Sequence, residues 1–221
     1  MTALRRGLQE AVDELKKEVI EMANTVIKNI NDSIKAFADN NIDLAKEIIL
    51  RDDVVDRYEE EISKRALKII WKEQPLAGDL RLVTGILKLI TDLERIGDHA
   101  IDIAEITINT ANLKSERVIP TTVKMAEIAK KMVLDSVEAL FKTNIELANK
   151  VIAVDDEVDK LFQKIIKRIV KELKEETIDP DLSVYLLMVA KYIERIGDHA
   201  VNICEWIIFI VSGNHKSTPL F

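Results

Sequence analysis

Acidic residues stand four apart at four places in the chain: Asp52 with Asp56, Glu94 with Asp98, Asp155 with Asp159, and Glu194 with Asp198. On an α-helix that spacing puts two side chains on one face, about one turn apart. Two such pairs facing each other would form an all-oxygen site of the kind that takes hard cations such as Mg, Ca, Mn or Fe, and bridging carboxylates can hold more than one ion. Without a cation, the same four groups repel one another and their pKa values rise. The ordinary alternative is a solvated acidic face with Arg57, Arg95, Lys160 and Arg195 as ion-pair partners, which contributes little to stability.

Whether the pairs face each other is decided by a duplication. The heptapeptide Glu-Arg-Ile-Gly-Asp-His-Ala occupies residues 94–100 and recurs unchanged at 194–200, and Asp52-Asp53-x-Val55-Asp56 is echoed by Asp155-Asp156-x-Val158-Asp159. In an antiparallel hairpin, residues at equal height lie symmetrically about the turn. Asp52 with Asp98 and Asp56 with Glu94 are both centred on residue 75, a proline, while Asp155 with Asp198 and Asp159 with Glu194 are centred between 176 and 177. Both quartets are therefore level across their hairpins. Asp102 extends the first cluster where the second has Asn202, so the two sites should hold metal unequally.

The elements that position these groups are long helices. Val19, Met22, Ala23, Val26, Ile27, Ile30, Ile34 and Phe37 form a 3.6-period stripe, and strand alternation is nowhere sustained. Breaks at 39–41, 74–78, 114–120, near Asn144 and at 177–180 leave six helices over 3–38, 42–73, 79–112, 120–143, 145–176 and 180–212. Asn41, Asp79 and Asp179 suit N-caps, and Pro120 and Pro180 suit first helical positions. The expected fold is all-α: two tandem, sequence-related three-helix bundles of six long antiparallel helices, over 1–113 and 119–213, with a tail at 214–221.

Composition agrees. Aromatics are 5% of the 221 residues, with six Gly and four Pro, a helix-forming mixture. A net charge of −7 disfavours nucleic acid. The lone Cys204, with neither a signal peptide nor a spanning segment, points to the cytoplasm; Ile203 to Val211 reads as buried helix. Gly97 and Gly197 suit close helix packing. His99 and His199 lie about 100° round the helix from the neighbouring Asp, as packing groups or groups that orient a ligand. Trp71 and Trp206 are expected in the core or an interface, Met22, Met125, Met132 and Met188 in the core, and Cys204 buried.

Asp-Leu-Arg-Leu-Val at 79–83, Thr-Asp-Leu-Glu-Arg-Ile-Gly-Asp-His-Ala at 91–100 and Glu-Arg-Ile-Gly-Asp-His-Ala-Val-Asn-Ile at 194–203 resemble PhoU, the phosphate-uptake regulators of bacteria, over essentially the whole chain. The resemblance implies a homodimer. It also implies multinuclear metal clusters, iron first and zinc or another divalent ion as alternatives, on the eight paired acids; Asp102 is added from its position. It further implies negative regulation of phosphate uptake and starvation signalling through the ATPase of the phosphate ABC transporter and a sensor histidine kinase, both reached peripherally. No catalysis is expected. A carboxylate-bridged di-iron enzyme is disfavoured by the missing Glu-x-x-His and by the charged surroundings of the quartets (Glu59, Glu60, Lys64). A metal-free acidic adaptor is the other alternative.

Overall fold

An apolar stripe along a helix must find another stripe, and here that requirement organises the whole chain. The structure is a computed structural model and describes residues 3–113, 120–216 and 218–219. The helices are α1 (Ala3–Asp39), α2 (Ile42–Ile49), α3 (Asp52–Glu73), α4 (Ala77–Asn109), α5 (Pro120–Lys142), α6 (Ile145–Lys174) and α7 (Pro180–Ser212). They form two sequence-related three-rod bundles, α1 with α2–α3 and α4, then α5 with α6 and α7. The linker from Lys114 to Ile119 lies outside the described residues. The tail carries a two-residue antiparallel pair, Asn214–His215 with Thr218–Pro219.

The two halves share one core. The final helices of the repeats, α4 and α7, pack more extensively against each other than any other pair, and one apolar cluster runs from Leu15 and Val26 through Ile90 and Ile96 to Met132, Ile193 and Ile203. At the crossing a glycine leaves room for a side chain of the other helix. A Cβ on Gly85 would lie 2.4 Å from Cγ1 of Ile210, well inside van der Waals contact.

Local chemistry sets the helix ends. Asn41, Asn144 and Asp179 each accept a hydrogen bond from the backbone N–H three residues on, and Pro180 begins α7. Asp79 does not cap: α4 starts two residues earlier, and Asp79 lies in its first turn, where a carboxylate complements the helix dipole. The expected rod over 42–73 is broken at Leu50 and Arg51. Arg51 turns there and its guanidinium pairs with Asp32 on α1 and Glu47 on α2. The equivalent Ala153 and Val154 continue α6 unbroken.

Burial bears on three further expectations. Of the two alternatives for Trp71, core or interface, its 79% exposure removes the core, while Met188 is 38% exposed, unlike the buried Met22, Met125 and Met132. In the Ile203–Val211 stretch, Ile203, Cys204, Ile207, Phe209 and Ile210 are buried, but Val211 is exposed. Trp206 is half-buried and stacks on His215, with ring centroids 4.0 Å apart.

Gly85→Ala should destabilise the protein by about 1–3 kcal/mol through overpacking against Ile210, although alanine raises helix propensity by about 1 kcal/mol. Equilibrium urea unfolding monitored by circular dichroism measures this, and a neutral or stabilising result would mean that α4 and α7 are not held this closely.

Candidate metal centre

In the first hairpin, α3 supplies Asp52 and Asp56, and α4 supplies Glu94 and Asp98. The close approach is made beside them, where Val55 Cγ1 would lie 3.2 Å from a Cβ on Gly97. Carboxylate oxygens of Asp52, Asp56 and Asp98 all lie within 4.8 Å of one another, with Asp52 and Asp98 half-buried and Asp56 exposed. Burial, then the charges of Asp56 and Asp98, pushes the Asp52 carboxyl above the usual range. Burial and Asp98 do the same to Glu94, against the opposing pull of Arg95.

Three hard oxygen donors so close, on a wet face, fit a small divalent cation completing its shell with water. Arg95 is the competing cation, 2.9 Å from Asp98 Oδ2 and 3.3 Å from Glu94 Oε2. Its side chain is 56% exposed, and pairs so open to water contribute only about 0–1 kcal/mol. Arg57 does not reach the acids by an ion pair; its Nε donates to the Asp53 carbonyl.

The second hairpin is level in the same way but is neutralised differently. Asp155 is pushed up to about 6, by burial first and then by Asp198, Asp159 and Glu194, so the other three acids of the quartet all act on it. Its Oδ1 is buried without a hydrogen-bond partner and would lie 3.4 Å from a Cβ on Gly197. Burial and Glu194 raise Asp198, while Arg195 and Lys191 hold it down. Glu194, only 12% exposed, pairs with Lys191, and Arg195 Nη1 stands 3.2 Å from Asp198 Oδ2. Among the described residues, the first-hairpin trio is the one group of three or more potential ligands that close together.

Asp102 is not brought to that trio. Its Oδ2 lies 3.2 Å from Nδ1 of His99, whose ring stacks on Tyr192 and stands 5.6 Å from the ring of His199. His199 Nδ1 lies 2.8 Å from Asp92 Oδ1, to which Asn202 also donates. Both histidines thus line the seam between α4 and α7, and the Asp102/Asn202 difference belongs to this seam. Burial lowers the His99 pKa despite Asp102. Burial also pushes the Cys204 thiol up to about 12, so it is unreactive at neutral pH.

Sequence reasoning missed Lys191 and Asp92. Each occurs where the repeat changes, Lys191 against Thr91 and Asp92 against Tyr192, so mismatches between the copies were the available signal.

A family model described as the PhoU domain matches twice, over residues 19–107 and 122–207. A phosphate-specific transport system accessory protein PhoU homolog from Clostridium acetobutylicum is 32% identical over 210 residues, covering 95% of this chain and 96% of the relative. One from Aquifex aeolicus is 37% identical over 188 residues, covering 85% of each. The crystal structure of PhoU from Pseudomonas aeruginosa matches with a TM-score of 0.88 at 28% identity, over 93% of this chain and 99% of that one. The phosphate transport system regulatory protein PhoU from Streptococcus pneumoniae has the same fold, with a TM-score of 0.88 at 21% identity, over 94% and 98% of the two chains.

A carboxyl whose pKa rises on folding is bound to its proton more tightly in the native state, so stability falls as pH increases through the window between the unfolded and folded values. For Asp155 that window runs from 3.8 to about 6. The metal-free protein should therefore lose thermal stability as pH rises across it, and Asp155→Asn should raise the melting temperature near neutral pH and flatten the profile. Melts in chelator at several pH values test this; a variant less stable at neutral pH would contradict it.

Proposed function

The chain belongs to the PhoU domain family, and from that membership we propose that it regulates phosphate transport as a metal-loaded accessory protein. The family is one of regulatory accessory proteins rather than enzymes, and the relatives bear the name of a phosphate-specific transport system. The observation that carries the metal reading is the convergence of Asp52, Asp56 and Asp98 within 4.8 Å. With Glu94, these residues would hold the ion or ions in the first hairpin, and Asp155, Asp159, Glu194 and Asp198 form the corresponding set in the second. Iron is the first candidate, with zinc or another divalent cation as alternatives.

A bound cation would offset both the burial and the repulsion by neighbouring acids that raise Asp52 and Glu94, and so tie α3 to α4. Metal is then both a structural clip and a means of changing the surface that α3 presents. The partners proposed from the family resemblance are the ATPase of a phosphate ABC transporter and its sensor kinase, met from the cytoplasm by a homodimer. No helix among the described residues is long and apolar enough to cross a membrane, in keeping with peripheral docking. The alternative, a metal-free acidic adaptor, draws support from Arg95, which already pairs with Glu94 and Asp98.

Metal content by plasma mass spectrometry, on protein purified without a metal-affinity tag, separates the two. Iron or zinc should be present in the wild type and depleted in a folded Asp52→Asn, Asp56→Asn, Asp98→Asn variant. Free metal about a hundredfold above its dissociation constant at a site should stabilise the wild type by about 2.7 kcal/mol, and the variant should lose the share of that gain that comes from the first hairpin. A wild type that stays metal-free after reconstitution with iron, zinc and manganese would leave only the adaptor.

A further inference from the structure

We infer that Lys191 is a tethered counter-ion that takes the place of metal in the second carboxylate cluster and confines cation loading to the first. The inference rests on the metal reading above and assigns the two quartets different occupants. Lys191 precedes Glu194 by one helical turn on α7 and pairs with its Oε2, in the least exposed of the cluster's ion pairs. Its Nζ also stands 5.4 Å from the ring centroid of Phe162 on α6, a second attraction that keeps the ammonium at this spot. To load a cation on Glu194 Oε2, the protein would have to give up the Lys191 ion pair.

The first repeat has neither part of the device. The position equivalent to Lys191 is Thr91, whose hydroxyl donates to the Leu87 carbonyl, and the position equivalent to Phe162 is Glu59. The surroundings differ in the same sense. Lys191 and Glu194 border an open cleft of about 810 Å³ into which Lys160, Lys164 and Lys167 also project. The corresponding first-repeat residues are Arg57, Glu61 and Lys64, and Lys64 pairs with Glu60. The cleft beside the second cluster thus carries Lys164 and Lys191 where the first repeat has Glu61 and Thr91, two more cations along the approach. The helix break adds to the contrast. Asp52 stands at the start of α3, where the helix dipole favours negative charge, whereas Asp155 is in mid-helix.

The test is manganese binding to the full chain, followed by calorimetry and by electron paramagnetic resonance of the bound ion. In an Asp52→Asn, Asp56→Asn, Asp98→Asn background only the second cluster is intact. There Lys191→Thr should tighten manganese binding by about tenfold or more, the effect of removing a unit charge a few ångströms away. Lys191→Arg, which keeps the charge, should not. In the otherwise wild-type chain, Thr91→Lys should weaken the first cluster by a similar factor. Circular dichroism confirms that each variant is folded. Equal loading of both clusters in the wild type, or no gain from Lys191→Thr, overturns the inference while leaving the metal reading intact. Absence of manganese, iron and zinc from every variant after reconstitution removes both.

Discussion

Like charge held at close quarters is the constraint on which this structure turns. Each hairpin brings four carboxylates to one level between two packed helices, and nothing about burying an apolar stripe requires that. The cost shows in the upward displacement of Asp52, Glu94, Asp155 and Asp198, each caused first by burial and then, in each case, by at least one neighbouring acid. Helices that repel along one edge stay together because they are bound firmly elsewhere. Val55 against Gly97 and Val158 near Gly197 set the hairpin spacing, and the shared core between α4 and α7 holds the two repeats as one body.

That shared core has a polar counterpart. Along the α4–α7 seam, His99, His199, Asp92, Asp102, Asn202 and Tyr192 satisfy one another through hydrogen bonds and ring stacking. The residues flanking the acidic motif therefore face two ways. Asp98 and Asp198 turn towards their own hairpins, while the next residue in each case turns towards the other repeat. One heptapeptide, used twice, builds both the acid clusters and the joint between the halves.

Much of this was legible in the sequence because helical periodicity and exact repetition are strong, local signals. The unbroken heptapeptide revealed the duplication, and mirror symmetry about the turns placed the acids level before any fold was known. What escaped was whatever depends on contacts between distant segments. Trp71 reads by residue type as a core or interface aromatic and is 79% exposed, on a face of α3 turned away from the buried Ile69. The break before Asp52 was invisible because Leu50 and Arg51 are both good helix formers, and what favours the turn is Arg51 reaching back to Asp32. Asp102, eight residues after Glu94, reads from its position as an extension of the first cluster, and the contact that sequence could not show is its Oδ2 at 3.2 Å from Nδ1 of His99. Lys191 was legible in principle, since it is a difference between copies, but its meaning needed Phe162 and Glu194 in three dimensions.

The break at Leu50 and Arg51 has a mechanical consequence. It separates α2 as an eight-residue segment whose buried contacts form a cluster of their own, Ala36, Ala45, Ile48, Ile101 and Ala104, apart from the main core. A unit so small, with five residues in its buried cluster, offers little apolar burial against local opening. Because Asp52 begins α3 directly after the break, an opening of α2 would displace one carboxylate of the first hairpin. Amide exchange in α2 would report on the charge state of the first hairpin from one side, while α6, continuous through the same position, gives the second hairpin no such lever.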